Sequence, residues 1–315
     1  MGSAAGLPGN VFLKSSGTLK TRAVLALLDL AASEVEFMTK LRPELDIESP
    51  RCYFANYDRK SCRHALVLED VVATKAAEFC QADQPLQRGE IEDVLTLLAT
   101  CHGRFWNSHR FSGDLRWLKE SKTPKSFVTD FDRFLLLGRT TVSGIAKYGD
   151  LVPPRVAAAK NDIMPALWRS LDFAASGPPT VLHGDCHLGN FYRTDTGRIG
   201  VLDWQICCVG SWTFDVSYLL AACLTIESRR TWERDLIAFY LDRLRVHGGE
   251  PPPFDKAFDA YRSGLMYPLA AWMFVLNRPP MQPDMQPREL SIELVRRIST
   301  AIDDLDVLNL LETGS

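Results

Sequence analysis

The sequence predicts an α+β fold in which a small antiparallel β region precedes a large, mainly helical one. Three observations carry that reading. The first seventy residues hold three short apolar runs of strand character, Val11-Phe12-Leu13-Lys14, Cys52-Tyr53-Phe54-Ala55 and Ala65-Leu66-Val67-Leu68, separated by turn residues. Past residue 70 the pattern changes to long stretches with apolar side chains at helical spacing. Within this helical region a single strand-rich island stands out: Val181-Leu182-His183-Gly184-Asp185-Cys186-His187-Leu188-Gly189-Asn190, then a second apolar run ending in Val201-Leu202-Asp203-Trp204.

With 315 residues the chain has the size of one large domain or two modest ones. Hydrophobic residues at 46% and charged residues at 24% are those of an ordinary globular protein. A net charge of −3 without a basic run leaves no electrostatic footprint for nucleic acid or an anionic membrane. The 8 cysteines include no C-x-x-C pair, so they read as reduced, mostly buried thiols of a cytoplasmic protein rather than as disulfides or a zinc site. Met1 to Asn10 lacks the basic and apolar regions of a secretion signal. The longest apolar run, Ala23 to Ala32, is too short for a membrane span and is interrupted by Asp29.

Taken in order, the first strand ends in Lys14. From about Thr21 to Leu41 the residues Leu27, Ala31, Met38 and Leu41 recur at helical spacing, with Glu34 on the same face. A carboxylate on a buried stripe needs a cation, and Lys14 is the nearest candidate. Glu36 is the fallback partner; it faces elsewhere and can pair with Lys40 at i+4. Pro43 and Pro50 break the next segment, and the polar turn Asp58 to Ser61 joins two antiparallel strands, the second ending in Glu69-Asp70. Ile91, Val94, Leu95, Leu98, Cys101, His102 and Phe105 then predict an amphipathic helix from about Arg88 to Ser108, with His102 a satisfied core or loop-supporting histidine. Phe127 to Tyr148 and Arg155 to Ala174 read as two more helices with Pro153-Pro154 between them. The turn residues Thr194, Asp195, Thr196 and Gly197 make the 181–204 segment a hairpin, which gathers Asp185, Asn190 and Asp203 at one end. Ser211 or Thr213 caps a helix starting near Phe214, and Asp215 in its first turn suits the helix dipole. Trp232 to Val246, Phe254 to Leu276 and Arg288 to Leu311 complete a helical remainder with proline-rich joints.

Two carboxylates and an amide gathered at one point suit phosphoryl transfer. Its loose, charged transition state asks for positioning and for magnesium held by carboxylate and amide oxygens. Eukaryotic protein kinases supply these groups as an H-R-D loop with an asparagine five residues after its aspartate, followed by D-F-G. Here Asp185 and Asn190 keep that offset, and Asp203 heads Asp-Trp-Gln. The segment resembles the aminoglycoside phosphotransferase and choline kinase-like family, whose pattern is H-G-D-x-H-x-G-N and then D-W, and is closest to its ecdysteroid-kinase-like branch. Ser33-Glu34-Val35-Glu36-Phe37 is similar to the family's E-V-x-F-Y segment. Leu98 to Trp106 is similar to its L-A-x-L-H-A-x-F-W.

The resemblance implies a two-lobed, protein-kinase-like fold, with residues 1–70 as the small nucleotide-binding lobe and 71–315 as the large helical catalytic and acceptor-binding lobe. It implies ATP and Mg as cofactors and transfer of the γ-phosphate to a hydroxyl of a small molecule. On it Asp185 is the catalytic base, Asn190 and Asp203 hold magnesium, His183 buttresses the loop, and His187 lies near the phosphates. Lys14, paired with Glu34, reaches the α- and β-phosphates, and the main chain of Glu69 and Val71 meets the adenine at the hinge. Asp215 braces the loop, and acceptor specificity resides in the C-terminal helices and the Arg110 to Lys125 loop.

One feature of the pattern is missing. The family's small lobe opens with two strands joined by a glycine-rich loop whose amides close over the phosphates. Ten residues before Val11 are too few, and Gly2, Gly6 and Gly9 cannot be stretched into that hairpin. An N-terminally truncated β lobe is therefore expected, either because the true start lies upstream of Met1 or because the phosphate lid has been dispensed with; the second would leave an uncovered strand edge at Val11 to Lys14 and weakened nucleotide affinity. Two other classes follow: a pseudokinase that binds nucleotide or ligand with little transfer, and a metal-dependent hydrolase using His183, Asp185, His187 and Asp203 as ligands. The Asn190 offset, the Lys14 and Glu34 pair and the hinge strand are superfluous to a hydrolase. Acceptor identity and oligomeric state stay open.

Overall fold

The computed structural model describes residues 9–81, 84–121, 123–278 and 286–313. Gly2 and Gly6, weighed above for a glycine-rich loop, lie outside the described residues. Strand β1 (Val11–Ser15) is followed by helices α1 (Leu19–Leu27) and α2 (Leu30–Glu36), then by β2 (Cys52–Asp58) and β3 (Arg63–Glu69). The sheet order is β1-β3-β2, all antiparallel, so β1 is an edge strand and its Lys14 lies opposite Leu66. Thr18 starts α1 by accepting the Thr21 N–H.

One helix was expected over Thr21 to Leu41, and the chain makes two. Asp29 adopts a left-handed backbone (φ 53°), which aspartate tolerates better than most residues, and the Leu28 and Asp29 amides close back on Val24 and Ala26. A π-turn over Phe37–Leu41 then carries α2 on, and Glu34 ends up buried beneath the sheet.

Beyond β3, Asp70 caps α3 (Val71–Lys75) by accepting the Val72 and Ala73 amides. A two-residue strand, β4 (Glu78–Phe79), leads to α4 (Arg88–Arg104), which opens on a Gln87 and Glu90 capping box. Next come α5 (Arg116–Ser121), α6 (Pro124–Leu135) and α7 (Leu137–Lys147). The last two were expected as one helix and are divided by left-handed Leu136 (φ 60°). Helices α8 (Pro154–Ala158) and α9 (Ile163–Ala175) lead into strands β5 (Thr180–Leu182), β6 (Phe191–Arg193), β7 (Ile199–Val201) and β8 (Cys208–Gly210).

Here the pairing differs from the expected hairpin. Strands β6 and β7 form it, with Phe191 opposite Val201 and Arg193 opposite Ile199, whereas β5 pairs with β8. A hairpin closes on the residues that flank its turn, and those are Phe191 to Arg193 rather than the Val181 run ten residues earlier. Strand β4 extends the hairpin sheet from the β6 side.

The rest is helical: α10 (Thr213–Cys223), α11 (Ile226–Val246), α12 (Phe254–Ser263), α13 (Met266–Leu276), α14 (Arg288–Asp304) and α15 (Val307–Thr313). Helix α10 is buried along its whole length, and α4, α11, α12, α13 and α14 pack around it. An all-round apolar helix is the mark of such a central position. All eight cysteines are free thiols. Among the described residues no helix is long and apolar enough to cross a membrane.

Candidate active site

The loop from His183 to Asn190 hangs from the first turn of α10. Asp215, fully buried there, accepts the His183 N–H at 2.7 Å, the Gly184 N–H at 2.8 Å and His102 Nε2 at 3.1 Å. An ionised carboxylate only accepts, so His102 carries its proton on Nε2, while its Nδ1 meets the Tyr240 hydroxyl at 2.7 Å. Burial alone would push the Asp215 carboxyl up, but the His102 ring and the loop amide outweigh it and hold it below the usual carboxylate range. Gly184 must be glycine: its φ is +86°, and a Cβ would meet the Ile206 carbonyl oxygen at 2.4 Å.

His183 fastens the loop to the hairpin. Its Nδ1 accepts the Asp185 N–H at 3.2 Å, which leaves the proton on Nε2 to be donated to the Leu202 carbonyl at 2.8 Å. The next residue, Asp203, takes a left-handed backbone (φ 59°), and Trp204 behind it is buried between Phe37, stacked at 3.7 Å between centroids, and the edge of His183 at 4.7 Å. Asn190 folds back on the loop, donating through Nδ2 to the Asp185 carbonyl at 2.8 Å and to its Oδ2 at 3.2 Å. His187 accepts the Gly189 N–H on Nδ1 and directs Nε2 toward Asp185 Oδ2, 3.5 Å away. Burial would raise the half-buried Asp185 carboxyl, yet His187 first, with His183 and Tyr218, brings it below its ordinary value.

Across from the loop, Lys14 Nζ bridges Glu34 Oε1 at 2.8 Å and Asp203 Oδ1 at 2.9 Å. Glu34 is the partner the helical stripe indicated; Glu36 instead pairs with Lys40. Burial pulls the Lys14 ammonium down, but Asp203 and Glu34 together outweigh it and hold it up. Burial also pushes the Glu34 carboxyl up, to about 7, against the pull of Lys14.

These groups line a cleft of about 470 Å³ shared with Asn190, Glu69 and Val71. The Glu69 side chain is occupied by the Arg51 amide and the Thr74 hydroxyl, and its own N–H by the Arg51 carbonyl. Val71 opens α3, where its N–H has no intrahelical acceptor. The cleft thus gathers Lys14, Glu34, Glu69, Val71, Asn190 and Asp203, while Asp185 and His187 face a different hollow and His183 lies buried beneath the loop. The metal-hydrolase reading does not survive: both ring nitrogens of His183 and Nδ1 of His187 are already hydrogen-bonded. Among the described residues, moreover, no three His, Cys, Asp or Glu side chains form a metal-binding group.

The model of the phosphotransferase enzyme family known as APH matches residues 17–251. The chain belongs to that family. Among solved structures, the phosphotransferase-family chain is similar to the choline kinase LicA from Streptococcus pneumoniae, at 12% identity over 94% of this chain and 87% of that one, with a TM-score of 0.50. LicA in complex with AMP gives 13% identity, 93% and 84% coverage and a TM-score of 0.51. At such identities the likeness establishes the kinase-like fold. No curated protein matches the sequence.

On the far side of the loop this phosphotransferase-family chain has the hollow that Asp185 and His187 face, of about 100 Å³, walled by Phe127, Phe131, Tyr218, Tyr267 and Trp272. Trp272 Nε1 donates to the Tyr218 hydroxyl at 2.6 Å, and the Trp272 ring meets His187 edge-on at 5.1 Å. Sequence reasoning assigned the acceptor pocket to the C-terminal helices, which include the α13 stretch that carries Tyr267 and Trp272, but named none of these rings as part of it. Tyr218 follows Asp215 by three residues on the same helix, and that spacing is the one signal pointing to it, because a helix buried all round has no periodic face to read. Among the described residues, the Arg110 to Lys125 loop contributes nothing to the walls; α6, α10 and α13 do.

Proposed function

We propose that the protein is an ATP-dependent small-molecule kinase, transferring the γ-phosphate to a hydroxyl seated over Asp185. Residues 1–70 act as the nucleotide-binding lobe and 71–315 as the catalytic and acceptor-binding lobe. The observation that carries this reading is the Lys14 bridge. One ammonium joins a carboxylate from α2 to one beside the hairpin, Asp203, which lies 189 residues from Lys14 in sequence, at a cleft that Asn190 also lines.

Lys14, held by Glu34, reaches the α- and β-phosphates as a charge donor. The apolar side chains Phe12, Leu68 and Leu202 of the same cleft accept the flat base, with the main chain of Glu69 and Val71 at its edge. Asn190 and Asp203 fit a magnesium ion. The Asn190 amide hydrogens are directed to Asp185, so its oxygen faces elsewhere, and one Asp203 oxygen remains beyond the Lys14 contact. An ion held by Asn190 and Asp203 would supply countercharge to the phosphates. Asp185, with its carboxyl held low, orients the acceptor hydroxyl and takes its proton late rather than acting as a strong base. His183 keeps the loop in register with Asp203, and His187 holds the Asp185 carboxylate from the side.

The hollow beyond Asp185 has room for a hydroxyl-bearing group on the order of ten non-hydrogen atoms. Its ring walls suit a compact and largely apolar one. The test is a thermal-shift titration with ATP and Mg²⁺, followed by a screen for labelled phosphate on small hydroxyl compounds. Stabilisation together with transfer is expected. Stabilisation without transfer to any acceptor would turn the reading into that of a nucleotide-binding pseudokinase, and a flat thermal response would overturn the kinase reading and favour a pseudokinase that binds another ligand.

A further inference from the structure

We propose that Tyr218 is the positioning residue of Asp185, its hydroxyl locked by Trp272 so that its single proton is directed to the carboxylate; this rests on the reading of Asp185 as the group that orients the acceptor. The indole Nε1–H of Trp272 is a donor only, so at 2.6 Å the Tyr218 oxygen must accept there. The tyrosine proton then needs an acceptor of its own. Tyr218 is 2% exposed, and a buried hydroxyl without one is costly. The group that faces it across the hollow is Asp185.

The placement is stiffer than that of the carboxylate's other donors. Asn190 and His187 belong to the same loop as Asp185 and shift with it. Tyr218 belongs to α10, three residues from Asp215, and residues three apart share a helical face. A single face of one central helix holds the His183 and Gly184 amides through Asp215, and on this proposal holds the carboxylate as well through Tyr218, which lines the same hollow as Asp185. Trp272, from α13, fixes the tyrosine rotamer and packs edge-on against His187, so the wall of the hollow and the orientation of Asp185 are one packed unit.

The test joins unfolding to kinetics. Urea unfolding of the wild type, Tyr218→Phe, Asp185→Ala and the double variant measures the coupling of the two side chains without any need for activity. Tyr218→Phe is expected to shift the unfolding equilibrium roughly ten-fold or more when Asp185 is present, and distinctly less when it is alanine. In steady-state assays Tyr218→Phe is expected to lower kcat about 10- to 100-fold while KM for ATP stays put. Trp272→Phe, which frees the hydroxyl without deleting it, should fall between that variant and the wild type. Additive unfolding effects, or a Tyr218→Phe enzyme with the wild-type kcat, would overturn the proposal. A wild type that transfers no phosphate would sink the phosphotransfer reading instead, and the unfolding cycle alone would then decide the Tyr218 contact.

Discussion

The two cavities that flank the 183–190 loop are built on opposite principles. On the sheet side the cleft is organised by charge: Lys14, Glu34 and Asp203 come from three distant stretches of the chain and fix one another by ion pairing. On the helix side the hollow is organised by shape, with rings from α6, α10 and α13 packed tilted or edge to face. On the proposed reading the cleft holds several phosphate charges, which need countercharges at set points, and few residue types can supply them. The hollow, on the same reading, excludes water around one hydroxyl and needs only surfaces, which many residue types supply. Asp185 belongs to the boundary between the two, and variants on either side should separate nucleotide effects from acceptor effects.

The largest effect is expected at that boundary. Asp185→Asn should reduce kcat by roughly 10²- to 10⁴-fold, with KM for both substrates little changed and a stability loss of about 1 kcal/mol, since an amide replaces the carboxylate that accepts from Asn190 and faces His187. A comparable loss of ATP affinity, read from a nucleotide titration, would break the division into two sides.

On the charged side, Lys14→Met should lower kcat/KM for ATP by about 10- to 100-fold and leave acceptor KM in place. It also carries a pH signature. Glu34 has a carboxyl pushed up by burial to about 7, and removing the ammonium beside it pushes it further in the same direction. An acid whose folded value is raised binds more protons folded than unfolded, so stability falls as pH rises from its unfolded value near 4.5 toward the folded one. Chemical unfolding should therefore find Lys14→Met close to the wild type at pH 5 and clearly weaker at pH 8. An equal penalty at both would mean that Glu34 remains ionised without its partner.

Asp215 serves both sides, and its replacement should not discriminate between them. Asp215→Asn turns one acceptor oxygen into a donor facing loop amides, at a cost of about 1–3 kcal/mol for each amide left unpaired. Activity toward both substrates should fall by roughly ten-fold. Because the Asp215 carboxyl is held below its ordinary value, the stability it contributes is present above that ordinary value and is lost as pH falls through the folded one. The wild type should lose that increment on acidification and Asp215→Asn should not, as read from melting curves between about pH 5 and 2.

The same contrast explains what could be read from the chain alone. The Lys14 and Glu34 pair was legible because a buried charge demands a partner, and the convergence of Asn190 and Asp203 on the same cleft was legible from their spacing; the phosphate-binding roles given to them are the proposal. The α+β division was legible because helical and strand periodicities differ. The hairpin was assigned to the wrong first strand, since β5 is the stronger apolar run and pairing follows the turn rather than apolarity. The breaks at Asp29 and Leu136 went unseen because a left-handed residue other than glycine leaves no compositional trace. Tyr218, Trp272 and the other walls went unseen because a ring in an apolar helix looks the same whether it faces the core or a ligand.

The smallest effect tests that blind spot. Phe127 reaches the hollow from α6, its ring 5.7 Å from Phe131 and 6.4 Å from Tyr267, and it also lines the smaller hollow of about 60 Å³ next to it. Phe127→Leu keeps the surface apolar but removes the flat contact, which should raise acceptor KM about 3- to 10-fold and cost roughly 1 kcal/mol of stability. ATP binding, measured by calorimetry on the same variant, should be unchanged, since Phe127 is not part of the cleft lining. If ATP affinity fell in step with acceptor affinity, the loop would be transmitting a packing change from one side to the other. The two cavities would then be halves of a single deformable site rather than separately organised ones.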